Sequence, residues 1–311
     1  MKNKIVIVIL VLLSLNSCNK FKNTKKEMDE IVEEIYKEIH QYKSRPVYSV
    51  QVDKTGCRLY LEIKDNIDYG FTESNGESMN LPLNFFITKS GKQTVIIKIY
   101  PKQGDLYITK FAMINLVFYR APDKDSDMSE YKEIAKYSFE GLEDKKLPYY
   151  EAQVTFNAEV PFDYSSVLNK SQDLTKGSDI ENKVVKKYND MGQIIYNFDQ
   201  LSYEKNKKFL SVRVFESSYE TDKNIIKQTV TDTLNIFNST LKNREILHIE
   251  NYKIQYYANN KIVALWNIKN LESALRLKGR YKKKDNSIID YEVSDPLFLY
   301  IPSGSDELKV W

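Results

Sequence analysis

The chain is poor in the residues that most enzymatic chemistry needs. It holds two histidines, two cysteines, two tryptophans and ten glycines among 311 residues. No phosphate-cradling Walker loop, dinucleotide glycine pattern, nucleophile elbow or HExxH helix is present, and His40 and His248 stand in no metal-ligand spacing. No catalytic residues, no cofactor and no metal ligands are therefore expected. A glycosidase carboxylate pair leaves no local signature, so the 43 acidic residues say nothing about it. Charge of one sign is also lacking: 46 basic residues against 43 acidic ones give +3. That balance offers no field for nucleic acid. No apolar run approaches 18 residues, so no segment reads as a membrane span.

What is present begins at the first residue. Lys2 and Lys4 precede nine unbroken apolar residues, Ile5 to Leu13, and Ser14 to Ser17 then turn small and polar. As a helix, nine residues cover about 14 Å, half of a bilayer's hydrocarbon. The layout is that of a signal peptide over 1–17. Leu15-Asn16-Ser17-Cys18 resembles the lipobox of bacterial lipoproteins. The resemblance implies cleavage before Cys18 and lipidation, palmitate included, of its thiol and new amino terminus. The membrane would then be reached through a lipid anchor at Cys18, since several acyl chains hold a protein where one does not. The same resemblance, with Asn19 where an inner-membrane retention signal has Asp, implies the outer membrane. With Cys18 so used, Cys57 has no disulfide partner left. It alternates with Leu59, Leu61 and Ile63, which predicts a buried structural thiol.

Along the rest of the chain, residues 18–27 read as the lipidated cysteine and a tether. Apolar side chains at 28, 31, 32, 35, 39 and 42 predict an amphipathic helix over 28–43, with His40 on its surface. The period then becomes two. Strands are expected at 47–52, 57–63, 81–87, 94–100, 106–119, 131–139 and 149–160, which together predict a β-sandwich over 44–163. Thr88 to Gln93 reads as a hairpin turn with Gly91 at positive φ. Residues 164–178 read as a linker, and 179–311 as an α+β domain. Within it, helices are expected from Ile180 to Ile195 and, after an Asp222 N-cap, through Leu241. Lys208 to Tyr219 reads as a strand. Ile249–Tyr257 and Lys261–Ile268 read as a hairpin turning at Ala258-Asn259-Asn260. Weaker strands follow at 275–281 and 288–293, and another strand at 297–301 is bounded by Pro296 and Pro302. The fold class is thus mainly β with α+β.

Two surface features invite ligands. The aspartates of Asp123–Glu130 alternate as calcium ligands can, although Met128 and Ile134 break the EF-hand pattern. Lys278, Arg280, Lys282, Lys283 and Lys284 cluster around Tyr281; a solvated turn is the plainer reading than a glycan or nucleic-acid site. The stretches Lys253–Ile268, Ser273-Ala274-Leu275 and Leu297–Pro302 are loosely similar to uncharacterised bacterial proteins of secretion-system effector clusters. The expected function is a non-enzymatic, envelope-anchored protein-binding module. It would serve as an immunity protein against a secreted effector or as a subunit of an outer-membrane assembly. The alternative is a glycan-binding or glycan-processing lipoprotein, suggested by 13% aromatic residues.

Overall fold

Period-two alternation builds the first half of the molecule. The computed structural model describes residues 24–73, 75–141, 145–233, 242–282 and 285–311. Strands β1 (Val47–Thr55), β4 (Glu77–Pro82), β6 (Met113–Ala121) and β7 (Lys132–Glu140) form one antiparallel sheet in the order β4-β1-β6-β7. Strands β2 (Cys57–Ile63), β3 (Asp68–Phe71), β5 (Gly91–Pro101) and β8 (Tyr150–Ala158) form a second, β3-β2-β5-β8. The inward residues of both sheets share one core: Val50, Val52, Leu116 and Phe118 face Leu59, Leu61, Val95 and Ile97. Tyr48 stacks on Phe156 across the gap at 5.9 Å. This is the expected sandwich. Gly56 turns β1 into β2 at φ +68°, and a Cβ there would lie 2.6 Å from the Phe111 carbonyl oxygen, so only glycine fits.

Three local expectations change, the first being the strand at 106–119, which begins only at Met113 as β6. Gly91 does have positive φ, but the chain before it changes sheets: β4 belongs to the first sheet and β5 to the second. A single-turn 3-10 segment, Asn84–Phe86, stands where the expected strand 81–87 ends.

The second half wraps the sandwich. Helices α2 (Ser165–Lys170), α3 (Ile180–Tyr196), α4 (Gln200–Ser217) and α5 (Lys223–Asp232) follow it, and α1 precedes it, helical through 24–38 of the described residues. The stretch 164–178, read as linker, contains α2 and buries Leu168 and Leu174. The expected strand over 208–219 is instead the C-terminal half of α4. Its alternation is produced by a helix contacted on several sides: Val212 and Phe215 pack on α1, while Arg213 faces Phe85 and Trp311. Asp222 caps α5, accepting from the Asn224 backbone at 2.7 Å. The expected continuation of α5 through Leu241 lies outside the described residues.

Helix α1 seals the far side of α4 and α5 with Ile31, Val32 and Ile35 against Val212, Phe215, Ile226 and Val230. It is already helical at 24, the first described residue and inside the expected tether, and ends at 38, five residues short of 43. The early end has a cause: the His40 backbone N–H donates to Glu216 Oε1 at 2.9 Å and leaves the helical ladder.

Strands β9 (Lys242–Ile246), β12 (Arg276–Lys282) and β13 (Ile288–Ser294) form a third sheet, β13-β12-β9. Strands β10 (Tyr252–Tyr257), β11 (Ile262–Asn267), β14 (Leu299–Tyr300) and β15 (Lys309–Val310) form the fourth, β10-β11-β14-β15. The β10–β11 hairpin turns through Ala258, Asn259 and Asn260, all at positive φ. Strand β11 is buried on both faces: Ile262, Ala264 and Trp266 join the sandwich core, and Val263 and Leu265 pack beneath Val184, Tyr188 and Met191 of α3. The fourth sheet therefore joins the sandwich to the helices. No helix among the described residues is long and apolar enough to cross a membrane.

Candidate functional site

The site grows from the outer face of the second sheet. Residues 57, 59, 61 and 63 of β2 point into the sandwich, so Arg58, Tyr60 and Glu62 point out. Register places Glu62 opposite Asp68 on β3 and Tyr60 opposite both Gly70 and Lys98. A Cβ on Gly70 would lie 2.4 Å from Cε1 of Tyr60, so the ring lies over the glycine. Such a face would normally meet water. Here the β10–β11 hairpin covers it, bringing Lys253, Tyr257 and Trp266.

Between these layers runs a cleft with two lobes, and Tyr60, Asp68 and Trp266 line both. The narrow lobe, about 20 Å³, has room for a single water molecule. The wide lobe is about 460 Å³, a size suited to an organic group. It is bounded by Tyr69 of β3, Phe85, Phe86, Lys207 and Leu210 of α4, Glu272, Asp295 and Trp311.

Asp68 is the centre of the site. It is only 7% exposed. The Tyr257 hydroxyl donates to its Oδ2 at 2.9 Å and itself accepts from Trp266 Nε1 at 2.7 Å. Its Oδ1 is buried and has no hydrogen-bond partner among the described residues. Burial pushes the carboxyl up to about 7, against the pull of Lys98 and Tyr257 and with Glu62 adding to the rise. The folded chain thus keeps this proton to about pH 7, whereas the unfolded chain releases it near 3.9. Between those values the folded state binds more protons, so on this account stability falls as pH rises from about 4 to about 7 and then levels off. Glu204, pushed up to about 7 by burial, acts in the same direction. Asp68→Asn is therefore expected to raise the melting temperature near pH 8, by about 2–4 °C per kcal/mol relieved, and to change it little near pH 5. Thermal unfolding at the two pH values checks this.

Lys207, the one basic residue lining the wide lobe among the described residues, is already committed, whereas Lys253 of the narrow lobe has no ion-pair partner there and burial pulls its ammonium down. Lys207 Nζ lies 2.9 Å from Asp295 Oδ2 and donates to the Tyr203 hydroxyl at 2.6 Å. Burial alone would pull this ammonium down, but Asp295 and Tyr203 outweigh it and hold it above its ordinary value. Lys98 pairs with Glu62. Glu272 has only neutral donors close by, Asn270 Nδ2 at 3.0 Å and Thr72 Oγ1 at 3.4 Å, and burial shifts it upward. Behind the cleft, Arg213 is fully buried against the faces of Trp311 (4.0 Å), Phe85 (4.7 Å) and Tyr164 (5.3 Å).

The residues singled out in the sequence lie elsewhere. Cys57 is buried in the sandwich core, where burial pushes its thiol up to about 11. It is expected to resist a thiol reagent in the folded protein and to react once in urea, a contrast read by absorbance. His40 is exposed, with Nδ1 2.5 Å from the buried Glu216 carboxylate; His248 is exposed in the loop after β9. In the Asp123–Glu130 loop, Arg45 bridges Asp123 at 2.6 Å and Asp125 at 2.8 Å, and Asp127 and Glu130 form a capping box. These aspartates are thus engaged by an arginine and a helix start. Lys278 and Arg280 pair with Glu245 and Asp290; Lys283 and Lys284 lie outside the described residues, as does Cys18. A separate apolar tip follows β5, where Leu106, Phe111 and Met113 are at least half exposed.

Searches of protein-family models, curated proteins and solved structures each gave no match to this chain.

Proposed function

We propose that the chain is a lipoprotein of the bacterial cell envelope, anchored through acyl chains on Cys18 and facing its partner from the outer membrane. It acts without catalysis, as a binding module for a protein, and the seam cleft receives a group from that partner. The observation that carries this reading is Asp68: a carboxylate held in a concave aromatic site at a cost in stability, with one oxygen unsatisfied. Neither histidine lines the wide lobe, and Lys207, its one basic residue among the described residues, is closed in a pair with Asp295, so the wide lobe supplies contacts rather than an activated nucleophile. Within this reading the partner is a secreted effector that the protein neutralises or a neighbouring subunit of an outer-membrane assembly. The alternative glycan reading gains the aromatic lining but lacks an open aromatic platform, because Trp266 and Trp311 are both buried.

Two measurements test the proposal. Cells fed labelled palmitate are expected to label the protein, and Cys18→Ala to abolish both the label and its sedimentation with membranes. An unlabelled wild type overturns the anchor. The detergent-extracted full-length protein is expected to retain one stoichiometric protein from secreted material or from the cell's own envelope, which assigns the effector or assembly version respectively. Retention of neither, with glycan bound instead, overturns the protein-binding reading.

A further inference from the structure

The chemistry around the wide lobe is unbalanced. Of its three carboxylates, Asp295 is neutralised by Lys207, while Asp68 and Glu272 have no cation within ion-pair distance among the described residues. Aromatic rings surround them: Tyr60, Tyr69, Phe86, Trp266, Phe298 and Trp311. The polar edges of three are tied to the protein. Tyr60 donates to the Leu271 carbonyl, Trp266 to the Tyr257 hydroxyl, and Trp311 to Asn66 Oδ1 at 2.7 Å. What these rings contribute to the lining is therefore carbon and π-density rather than hydrogen-bond donors. In the wide lobe an anionic ligand would meet two carboxylates and no free base, since Lys207 is paired and the unpaired Lys253 lines the narrow lobe; a neutral apolar ligand would leave Asp68 Oδ1 unsatisfied. A cation meets both the charge and the rings, since ammonium and guanidinium groups bind aromatic faces most strongly where water is excluded.

We propose that the cleft binds an organic cation, an alkylammonium or guanidinium group, with Asp68 as its counter-ion and the aromatic wall as its cage. The proposal rests on the cleft being the binding site and names the chemistry of what enters it. Two sources carry that chemistry: a free amine, or a lysine or arginine side chain of a partner protein.

The molecule reports on itself, because its only two tryptophans both line the wide lobe. Tryptophan fluorescence of the full-length protein would be titrated with agmatine, with an N-acetyl-lysine-amide peptide, and with the norleucine peptide that lacks the charge. Saturable change is expected with at least one cationic probe, at least tenfold tighter than with the norleucine peptide. Asp68→Asn, shown folded by its thermal transition, is expected to weaken it at least tenfold, and Glu272→Gln to weaken it less. Saturation by agmatine assigns a free amine; saturation by the lysine peptide alone assigns a partner's side chain. Equal binding of the norleucine peptide, unchanged binding by Asp68→Asn, or no response to either cation overturns the proposal. In that last case, a partner still captured by the protein would leave the broader binding function standing and remove only the cation.

Discussion

Trp311→Ala is expected to destabilise the fold by about 3–5 kcal/mol. The indole is 1% exposed and packs on Phe209 and Tyr300 at ring distances of 5.5 and 5.3 Å. It covers Arg213 at 4.0 Å and donates to Asn66 of the sandwich at 2.7 Å. Removing it opens a cavity and strips one ring from a buried guanidinium. That group already lacks hydrogen-bond partners at Nε and Nη1 among the described residues, and burial pulls it down to about 9. Trp311→Phe keeps most of the packing and loses the bond to Asn66, which sets its cost at about 1–2 kcal/mol. Urea unfolding followed by circular dichroism separates the two variants. Equal costs would mean that the indole N–H, and not the ring, holds the sandwich to α4.

Asp295→Ala is the second large effect, about 3 kcal/mol. Lys207 is buried on α4, and its ammonium is held by both Asp295 oxygens and by the Tyr203 hydroxyl. Taking away the carboxylate leaves a charge in a site that water barely reaches, which costs far more than the pair itself contributes. The double replacement Lys207→Met with Asp295→Leu is accordingly expected to recover most of the loss. A cost below about 1 kcal/mol for Asp295→Ala would show that Lys207 finds solvent through the cleft.

Much of the fold is legible in the order of residues. Cys57, Leu59, Leu61 and Ile63 alternate, and they line the sandwich core. Ala258-Asn259-Asn260 announces its hairpin because asparagine tolerates left-handed backbone, and all three residues adopt it. Asp222 marks the start of α5 by its chemistry alone. Helix α4 is not legible as a helix, because burial on several sides erases a single apolar stripe and leaves Val212, Val214 and Phe215 resembling alternation. The cleft is invisible for a different reason. Its parts come from β2, β3, α4, the loop before β12 and the end of the chain, and only packing brings them together. The outward residues Arg58, Tyr60 and Glu62 read as a solvated strand face until the β10–β11 hairpin covers them. In hindsight a tyrosine flanked by charges on each of two neighbouring strands, Tyr60 and Tyr100, hints that such a face is covered. The signal is shared by many exposed sheets.

The central claim is that the seam cleft is where the partner engages, and a photo-crosslinking residue tests it in living cells. Placed at Tyr69, an exposed residue lining the wide lobe, it is expected to give one discrete adduct, visible on a gel or by intact mass. That adduct should vanish when Asp68→Asn is added. The same residue placed at Leu106, on the exposed apolar tip, is expected to give none. Adducts from Leu106 with nothing at Tyr69 would contradict the account and move the binding surface to the tip of the sandwich.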